Sequence, residues 1–297
     1  MRLGIMATTF ARPMLEANLD AVAACGVQSV QFDLACAGVP TLPAQIAPTL
    51  CARVRDAFAA RGLTLEALSG TFNMIHPNPS ERAEGLRRLR VLLDACEALG
   101  TTVVTLCTGT RDPHHMWRRH PDNDTPGAWA DLVASMREAV RGAEAAGVTL
   151  AFEPEVANVV DSAQKARRLL DEIGSPWLKV VLDGANIFHS GELPRMRAML
   201  EEACALLGPD IALAHAKDLD HDGEAGHLPA GRGLLDYPLY LALLQRSGFT
   251  GALILHGLAE EDVAACLAFV RAAAPDGLRS TTSSSPYRGS ERATSPG

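Results

Sequence analysis

Four side chains able to ligate a divalent metal close four apolar runs: Glu153 ends T-L-A-F-E, Asp183 ends L-K-V-V-L-D, His215 ends I-A-L-A-H and His256 ends G-A-L-I-L-H. They fall at intervals of 30, 32 and 41 residues (153 to 183 to 215 to 256), and one strand–helix unit takes roughly 30 residues or a little more. Each therefore occupies the same place in successive units, the carboxyl end of a strand, where α/β sheets and barrels bind their ligands. Any one alone reads as a cap, a salt-bridge partner or a satisfied core histidine. Four in step read as one rim. Two carboxylates and two imidazoles suit Mn²⁺, Co²⁺, Fe²⁺ or Zn²⁺. An ion there would polarise a ketone and its neighbouring hydroxyl, so that Glu153, held close, could remove the α-proton. His256, whose ring ordinarily titrates near neutrality, is the candidate to return the proton or to help a hydroxide leave.

The elements that must position these residues alternate without interruption. Strands are expected at 3–9, 29–35, 63–68 and 103–106, followed by the four runs above. Helical periodicity follows each one, at 15–25, 43–61, from a cap at Ser80 to Gly100, along the face of Trp129 to Val140, and at 161–173, 194–207, 237–246 and 260–273. Eight such units argue for an α/β protein of one domain, a (β/α)8 TIM barrel over residues 1–274. A doubly wound open sheet would want a glycine fingerprint after the first strand, and M-A-T-T-F has none. Residues 275–297 are rich in Ser, Thr, Pro and Gly, cannot bury apolar surface and are expected to be disordered.

Composition removes several alternatives. A net charge of −8 argues against a nucleic-acid partner or an anionic membrane surface. No apolar run reaches the roughly 20 residues of a membrane span, and the opening M-R-L-G-I-M reads as a strand rather than a signal peptide. Seven cysteines, without a C-x-x-C pair and mostly inside apolar runs, fit the reduced thiols of a cytoplasmic protein. Cys107, near a strand end, is the exception.

E-P-E at 153–155, L-D-x-A-N from 182, H-A-K-D from 215 and G-R-G-L-L-D at 231–236 carry a resemblance. Over residues 1 to about 273 the chain resembles the xylose-isomerase-like barrels, specifically the sugar phosphate isomerase/epimerase group of tagatose 3-epimerases and inosose dehydratases. The resemblance implies one divalent metal, usually Mn²⁺ (Co²⁺, Fe²⁺, Mg²⁺ or Zn²⁺ being the others), on Glu153, Asp183 and His215. The fourth ligand in that group is a glutamate, and here it is His256. In the epimerases the two glutamates exchange the substrate proton on opposite faces of an enediolate. The resemblance therefore implies a metal-dependent isomerase or epimerase of a ketose or related polyol, phosphorylated or not, with Glu153 as base. The histidine at 256 brings forward a lyase or dehydratase acting on a keto-sugar or inosose, and behind that a non-catalytic sugar-binding barrel. Apurinic-site endonucleases share the barrel but need a histidine-rich zinc cluster and a basic groove. Homodimers or homotetramers are common in the group.

Other polar residues are expected at the same mouth. His76 matches a substrate-contacting position of the group. Arg111, Trp117, Arg119 and His120 sit on the longest loop, where an arginine suits a carboxylate, phosphate or polyol and a tryptophan suits a sugar face. Asn186 stands where the epimerases carry a histidine and is assigned substrate hydrogen bonding. Lys217 and Arg232 are candidates for anionic groups. Glu155 shares the face of Glu153 if the strand runs past Pro154, and is expected to orient a ligand rather than to bind the metal.

Overall fold

Side chains alternate across a strand, and that single rule places both the core and the rim of this protein. The computed structural model describes residues 1–275; the tail expected to be disordered lies, from residue 276, outside the described residues. The strands are β1 (Arg2–Met6), β2 (Ser29–Phe32), β3 (Thr64–Ser69), β4 (Val103–Cys107), β5 (Thr149–Glu153), β6 (Leu178–Asp183), β7 (Ile211–Asp218), a two-residue β8 (Leu228–Pro229) and β9 (Ala252–Leu255). Between and after them run α1 (Leu15–Ala24), α2 (Pro48–Ala59), α3 (Pro79–Leu99), α4 (Pro126–Ala146), α5 (Ala163–Ile173), α6 (Met196–Leu207), α7 (Tyr237–Arg246) and α8 (Val263–Ala273). Eight strands form the ring, pairing in parallel from β1 to β7. The ring closes through β9, which pairs with both β7 and β1, so this is a (β/α)8 barrel. The short β8 pairs antiparallel with the end of β7 and lies outside the ring.

Inside the barrel, Ala67, Ala151, Val181, Leu213, Ala252 and Ile254 form a small apolar plug of their own. Residues one step along the same strands, such as Leu150, Phe152, Leu182 and Ala214, point outward into the large core beneath the helices. Two residues beyond the plug on each of four strands stand Glu153, Asp183, His215 and His256. They face inward and sit directly above the apolar layer, at the carboxyl ends of the strands. At the opposite end of the barrel, a cleft of about 590 Å³ runs between Leu65, Glu66, Glu97, Thr101 and Val148 and touches none of the four.

Several element boundaries differ from those expected, each for a local reason. The first two strands stop early because Ala7–Thr9 and Leu34–Ala37 wind into 3-10 turns; in the second, Asp33 accepts the Ala35 N–H at 2.8 Å. The helix expected from 43 begins at Pro48, since the residue before a proline avoids helical backbone and Ala47 is extended. Asn78, not Ser80, caps α3: its side chain accepts the Ser80 N–H at 3.0 Å, with Pro79 in the first helical position. Ser162 caps α5, while 3-10 turns at Leu193–Arg195 and Glu260–Asp262 precede α6 and α8. Strand β5 ends at Glu153, so Glu155 belongs to the following loop. Among the described residues no helix is long and apolar enough to cross a membrane.

Candidate active site

The rim is organised around His215, which is buried at the centre of a hydrogen-bonded chain. Thr105 donates its hydroxyl to Leu68 O at 3.4 Å and so accepts from Gln31 Nε2 at 3.1 Å. This aims Gln31 Oε1 at His215 Nε2, 2.8 Å away, and that nitrogen must carry the hydrogen. His215 Nδ1 then faces Glu153 Oε1 at 3.2 Å, donating to it when the ring is charged and offering its lone pair to a cation when the ring is neutral. The same Oε1 receives Asn186 Nδ2 at 2.7 Å, and Asn186 Oδ1 receives the Gly226 N–H at 2.8 Å. Below, the Tyr240 hydroxyl bridges the backbone oxygens of Leu182 (2.8 Å) and His215 (3.1 Å), tying β6 to β7 beneath the site.

Asp183 is fully buried. Among the described residues its Oδ1 takes the Ala185 N–H at 2.9 Å, whereas Oδ2 has no hydrogen bond. The Lys217 ammonium lies 3.4 Å from that oxygen, close enough for charge but not aligned for a bond. His256 Nδ1 is likewise buried without a partner, and its ring stands edge-on to that of His215, 4.9 Å between centroids. Asp183, His215 and His256 each offer one ligand atom within 4.8 Å of the others, and Glu153 adjoins them through His215. Lone pairs thus converge from several sides, and a buried polar atom left unsatisfied costs about 1–3 kcal/mol. A divalent cation satisfies them together, so this oxygen–nitrogen donor set fits one.

Charge reinforces the arrangement. Burial works to raise the Glu153 carboxyl, but His215 and Lys217 prevail and hold it down at about 2. Burial pushes Asp183 above the usual carboxylate range even with Lys217 beside it. Burial alone would discharge Lys217; Asp183 and Glu153 carry its affinity for the proton upward instead. Glu155 is raised to about 7 by burial and by the charge on Glu153, and its Oε2 accepts from Asn158 at 3.1 Å. Burial and then Lys217 push His256 well below its ordinary value. The neutral-range titration expected of His256 is therefore corrected: its imidazole is uncharged. The Cys107 thiol is buried and raised beyond reactive range, so its place near a strand end does not set it apart from the other cysteines.

Seven of the residues singled out in the sequence meet here: Glu153, Glu155, Asp183, Asn186, His215, Lys217 and His256. The other six do not join them; Arg119 pairs with Asp124 at 2.6 Å and Asp161 at 3.3 Å. His76 uses both ring nitrogens, one on the Asn78 N–H and the other on Pro113 O, tying two loops together. Arg111 donates to Ile75 O at 2.9 Å and to Asp131 at 2.6 Å, which makes it a brace between α4 and the β3 loop. His120 accepts the Asp122 N–H as the cap of a 3-10 turn. Trp117 is 47% exposed, and Arg232 lies on the surface 3.5 Å from Asp262. Gln31 was missed, although it is a buried amide at an inward position of β2, S-V-Q-F. H-A-K-D and G-R-G-L-L-D prove to be one unit: Asp218 accepts the N–H groups of Leu219, Gly231 and Leu235, each at 2.9 Å. Gly233 packs so closely against Leu219 O and Asp218 Oδ1 that no Cβ fits there.

This closed barrel with its polar inner rim defines the class. Residues 19–275 match the xylose isomerase-like TIM barrel family, and the chain belongs to it. Among curated proteins it is similar to L-ribulose-5-phosphate 3-epimerase UlaE of Shigella flexneri serotype 5b, with 26% identity over 196 residues, 65% of this chain and 64% of that protein. The UlaE of Escherichia coli ATCC 8739 shows 27% identity over 192 residues, 64% of this chain and 62% of the relative. The match thus spans a little under two thirds of each relative. In fold it resembles the 3-keto-D-glucoside 4-epimerase YcjR of E. coli (TM-score 0.72, 17% identity, 92% of this chain and 99% of that one). It also resembles the D-psicose 3-epimerase of Clostridium cellulolyticum H10 (TM-score 0.70, 18% identity, 92% and 99%).

Proposed function

We propose that this chain is a divalent-metal-dependent isomerase or epimerase of a ketose or related polyol, acting through an enediolate with Glu153 as the base. The observation that carries the reading is an ionised Glu153 on the same rim as unsatisfied acceptors from Asp183 and His256, with His215 within ligand distance of both. Bound by these four residues, a divalent ion, Mn²⁺ foremost, supplies Lewis acidity toward a ketone and its adjacent hydroxyl. Asn186 and His215 both sit on Glu153 Oε1, which leaves Oε2 as the oxygen free to accept the α-proton. A carboxylate held near 2 is a weak base, and its effectiveness comes from being fixed close to that proton. Lys217, kept charged in a dry site, favours negative charge developing on the substrate oxygens. The relatives act, by their names, on L-ribulose-5-phosphate, 3-keto-D-glucoside and D-psicose, and a ketone beside the reacting carbon is the substrate feature proposed here.

One observation favours a second reading. Inversion needs a proton donor on the face opposite Glu153, and the uncharged His256 does not provide one. Proton removal by Glu153 followed by loss of a β-hydroxyl from the same face, to which Glu153 returns that proton so that water leaves, is a dehydratase reaction and needs no donor on the opposite face. The deciding experiment is Mn²⁺ content of the wild type, Asp183→Ala and His256→Ala, followed by a ketose panel in D2O. We expect about one Mn²⁺ per chain, lost in both variants, and solvent deuterium at the isomerised or inverted carbon. A dehydrated ketone would assign elimination. No Mn²⁺ uptake and no deuterium would refute both readings and leave a sugar-binding barrel.

A further inference from the structure

The loop between β7 and β8 carries a second set of ligand-type side chains that the barrel chemistry does not use. Asp220 Oδ1 lies 2.5 Å from His221 Nδ1 and 2.8 Å from His227 Nε2. Glu224 Oε1 lies 3.1 Å from His221 Nε2 and 3.4 Å from His227 Nδ1. The two imidazoles, 4.3 Å apart at their centroids and tilted by 39°, are thus held between two carboxylates. Asp220, His221 and His227 each present a ligand atom within 4.8 Å of the other two. Asp220 and His221 are exposed and His227 is half-buried, so solvent reaches the set.

The donor count is the telling feature. Asp220 Oδ1 meets one nitrogen of each ring at hydrogen-bond distance and His227 Nδ1 meets Ala225 O at 3.3 Å, so three contacts call for three N–H groups, while two neutral imidazoles own only two. Either one ring carries an extra proton, or a cation takes the place of the missing hydrogen. The loop itself does not depend on these contacts. Asp222 accepts the Leu193 N–H at 2.7 Å, Gly223 N–H bonds to Phe188 O at 3.0 Å, and His227 N–H to Asp218 O at 3.0 Å. Gly223 has φ 94°, and a Cβ there would collide with Ser190 Oγ. The ligand atoms are therefore presented by a preformed backbone, which spares binding the cost of ordering a loop.

We propose that Asp220, His221 and His227 form a second, solvent-facing divalent-metal site, with Glu224 beside it, that takes nitrogen-preferring ions and Zn²⁺ above Mn²⁺. Two imidazoles and one carboxylate with an open position are a set Zn²⁺ accepts readily, whereas Mn²⁺ lies at the weak end of the affinity order for such donors. The site connects to the barrel chemistry, since Gly226 in the same loop donates to Asn186, which donates to Glu153. Occupancy would stiffen the strap that steadies the candidate base.

The test is Zn²⁺ binding to the full chain preloaded with Mn²⁺, followed by titration and elemental analysis. Wild type, His221→Gln, His227→Gln and Asp183→Asn are compared, and circular dichroism verifies that each is folded. We expect about one Zn²⁺ per chain beyond the barrel ion in wild type, binding weakened about tenfold or more in each folded loop variant, and retention in Asp183→Asn. Co²⁺ in place of Zn²⁺ should give a visible absorption band that the loop variants lose. Zn²⁺ binding unchanged in the folded loop variants, or lost only with Asp183→Asn, would overturn the proposal. Failure of the barrel-metal reading appears separately, as an Mn²⁺ content that Asp183→Asn leaves untouched.

Discussion

Replacing Gln31 by leucine is the sharpest probe of the site, because Gln31 touches no candidate metal-binding atom and yet fixes one. Its Oε1 accepts from His215 Nε2 at 2.8 Å, and its amide is itself held by Thr105 at 3.1 Å and Ser69 at 3.4 Å. Leucine keeps the volume and removes the acceptor, so His215 loses what holds its hydrogen on Nε2 and its lone pair on Nδ1. Removing such a partner typically weakens metal binding 10- to 100-fold, about 1.4–2.7 kcal/mol. The metal-free protein should also lose about 1–3 kcal/mol through a buried N–H without an acceptor. The assay is Mn²⁺ titration by calorimetry with thermal melts in both states. At saturating metal the ion's stabilisation shrinks by the lost affinity, and at about 2–4 °C per kcal/mol the metal-induced rise in Tm should fall by roughly 3–10 °C. Gln31→Glu keeps an acceptor and should retain the affinity. Mn²⁺ affinity for Gln31→Leu within about threefold of wild type would refute the tautomer argument and place His215 outside the ligand set.

Two further expectations rest on contacts outside the ligand set. Tyr240→Phe removes the hydroxyl that bridges Leu182 O and His215 O and should lower unfolding free energy by about 1–3 kcal/mol in urea; an unchanged midpoint would contradict the bridge. Asp161 is buried, which works to raise it, but His189 and Lys165 hold it down at about 2, while His189 is raised in turn chiefly by its bond to Asp161. Because the Asp161 value is depressed on folding, its share of stability, on the order of 2 kcal/mol, is present above the unfolded value and lost as pH falls toward 2. The His189 share has the opposite sign: it is full below 6.5 and lost as pH rises through the raised value. Denaturation of wild type and Asp161→Asn should therefore differ most near pH 5, converge as pH falls toward 2, and close only in part as pH rises through the His189 value, because Lys165 still pairs with Asp161; a constant difference across pH would remove the linkage.

The rim was legible in the sequence because strand alternation is a local property. Once Ala151, Val181, Leu213 and Ile254 face inward, residues two further along must face inward as well, and their identity shows in the sequence. The loop residues obeyed no such rule. Arg111 reads equally well as a substrate clamp or as the partner of Asp131, and only the path of a long loop decides between them. His76 and His120 had the chemistry of ligands, but both ring nitrogens of His76 and Nδ1 of His120 were taken by neighbouring backbone, which loops supply in abundance. Gln31 was hidden for the opposite reason: a lone amide in S-V-Q-F looks like ordinary alternation until its inward neighbours across the barrel are known. Nor could the uncharged state of His256 be read locally, since it is set by burial and by Lys217, which approaches from a different strand.

That uncharged histidine has a consequence for the whole rim. With Glu153 ionised and Lys217 charged, two carboxylates and one ammonium would face a divalent ion, leaving a net positive site even if Asp183 is also ionised. A glutamate at position 256 would cancel the remaining charge. The imidazole therefore holds the ion less tightly and leaves more positive potential for an oxyanion formed on the substrate, which is where such potential lowers a barrier. His256→Glu should accordingly bind Mn²⁺ more tightly than the wild type. If the carboxylate also provides a proton to the face opposite Glu153, the share of product carrying solvent deuterium at an inverted carbon should rise above that of wild type. Tighter metal without any change in the product would show that position 256 acts only as a ligand.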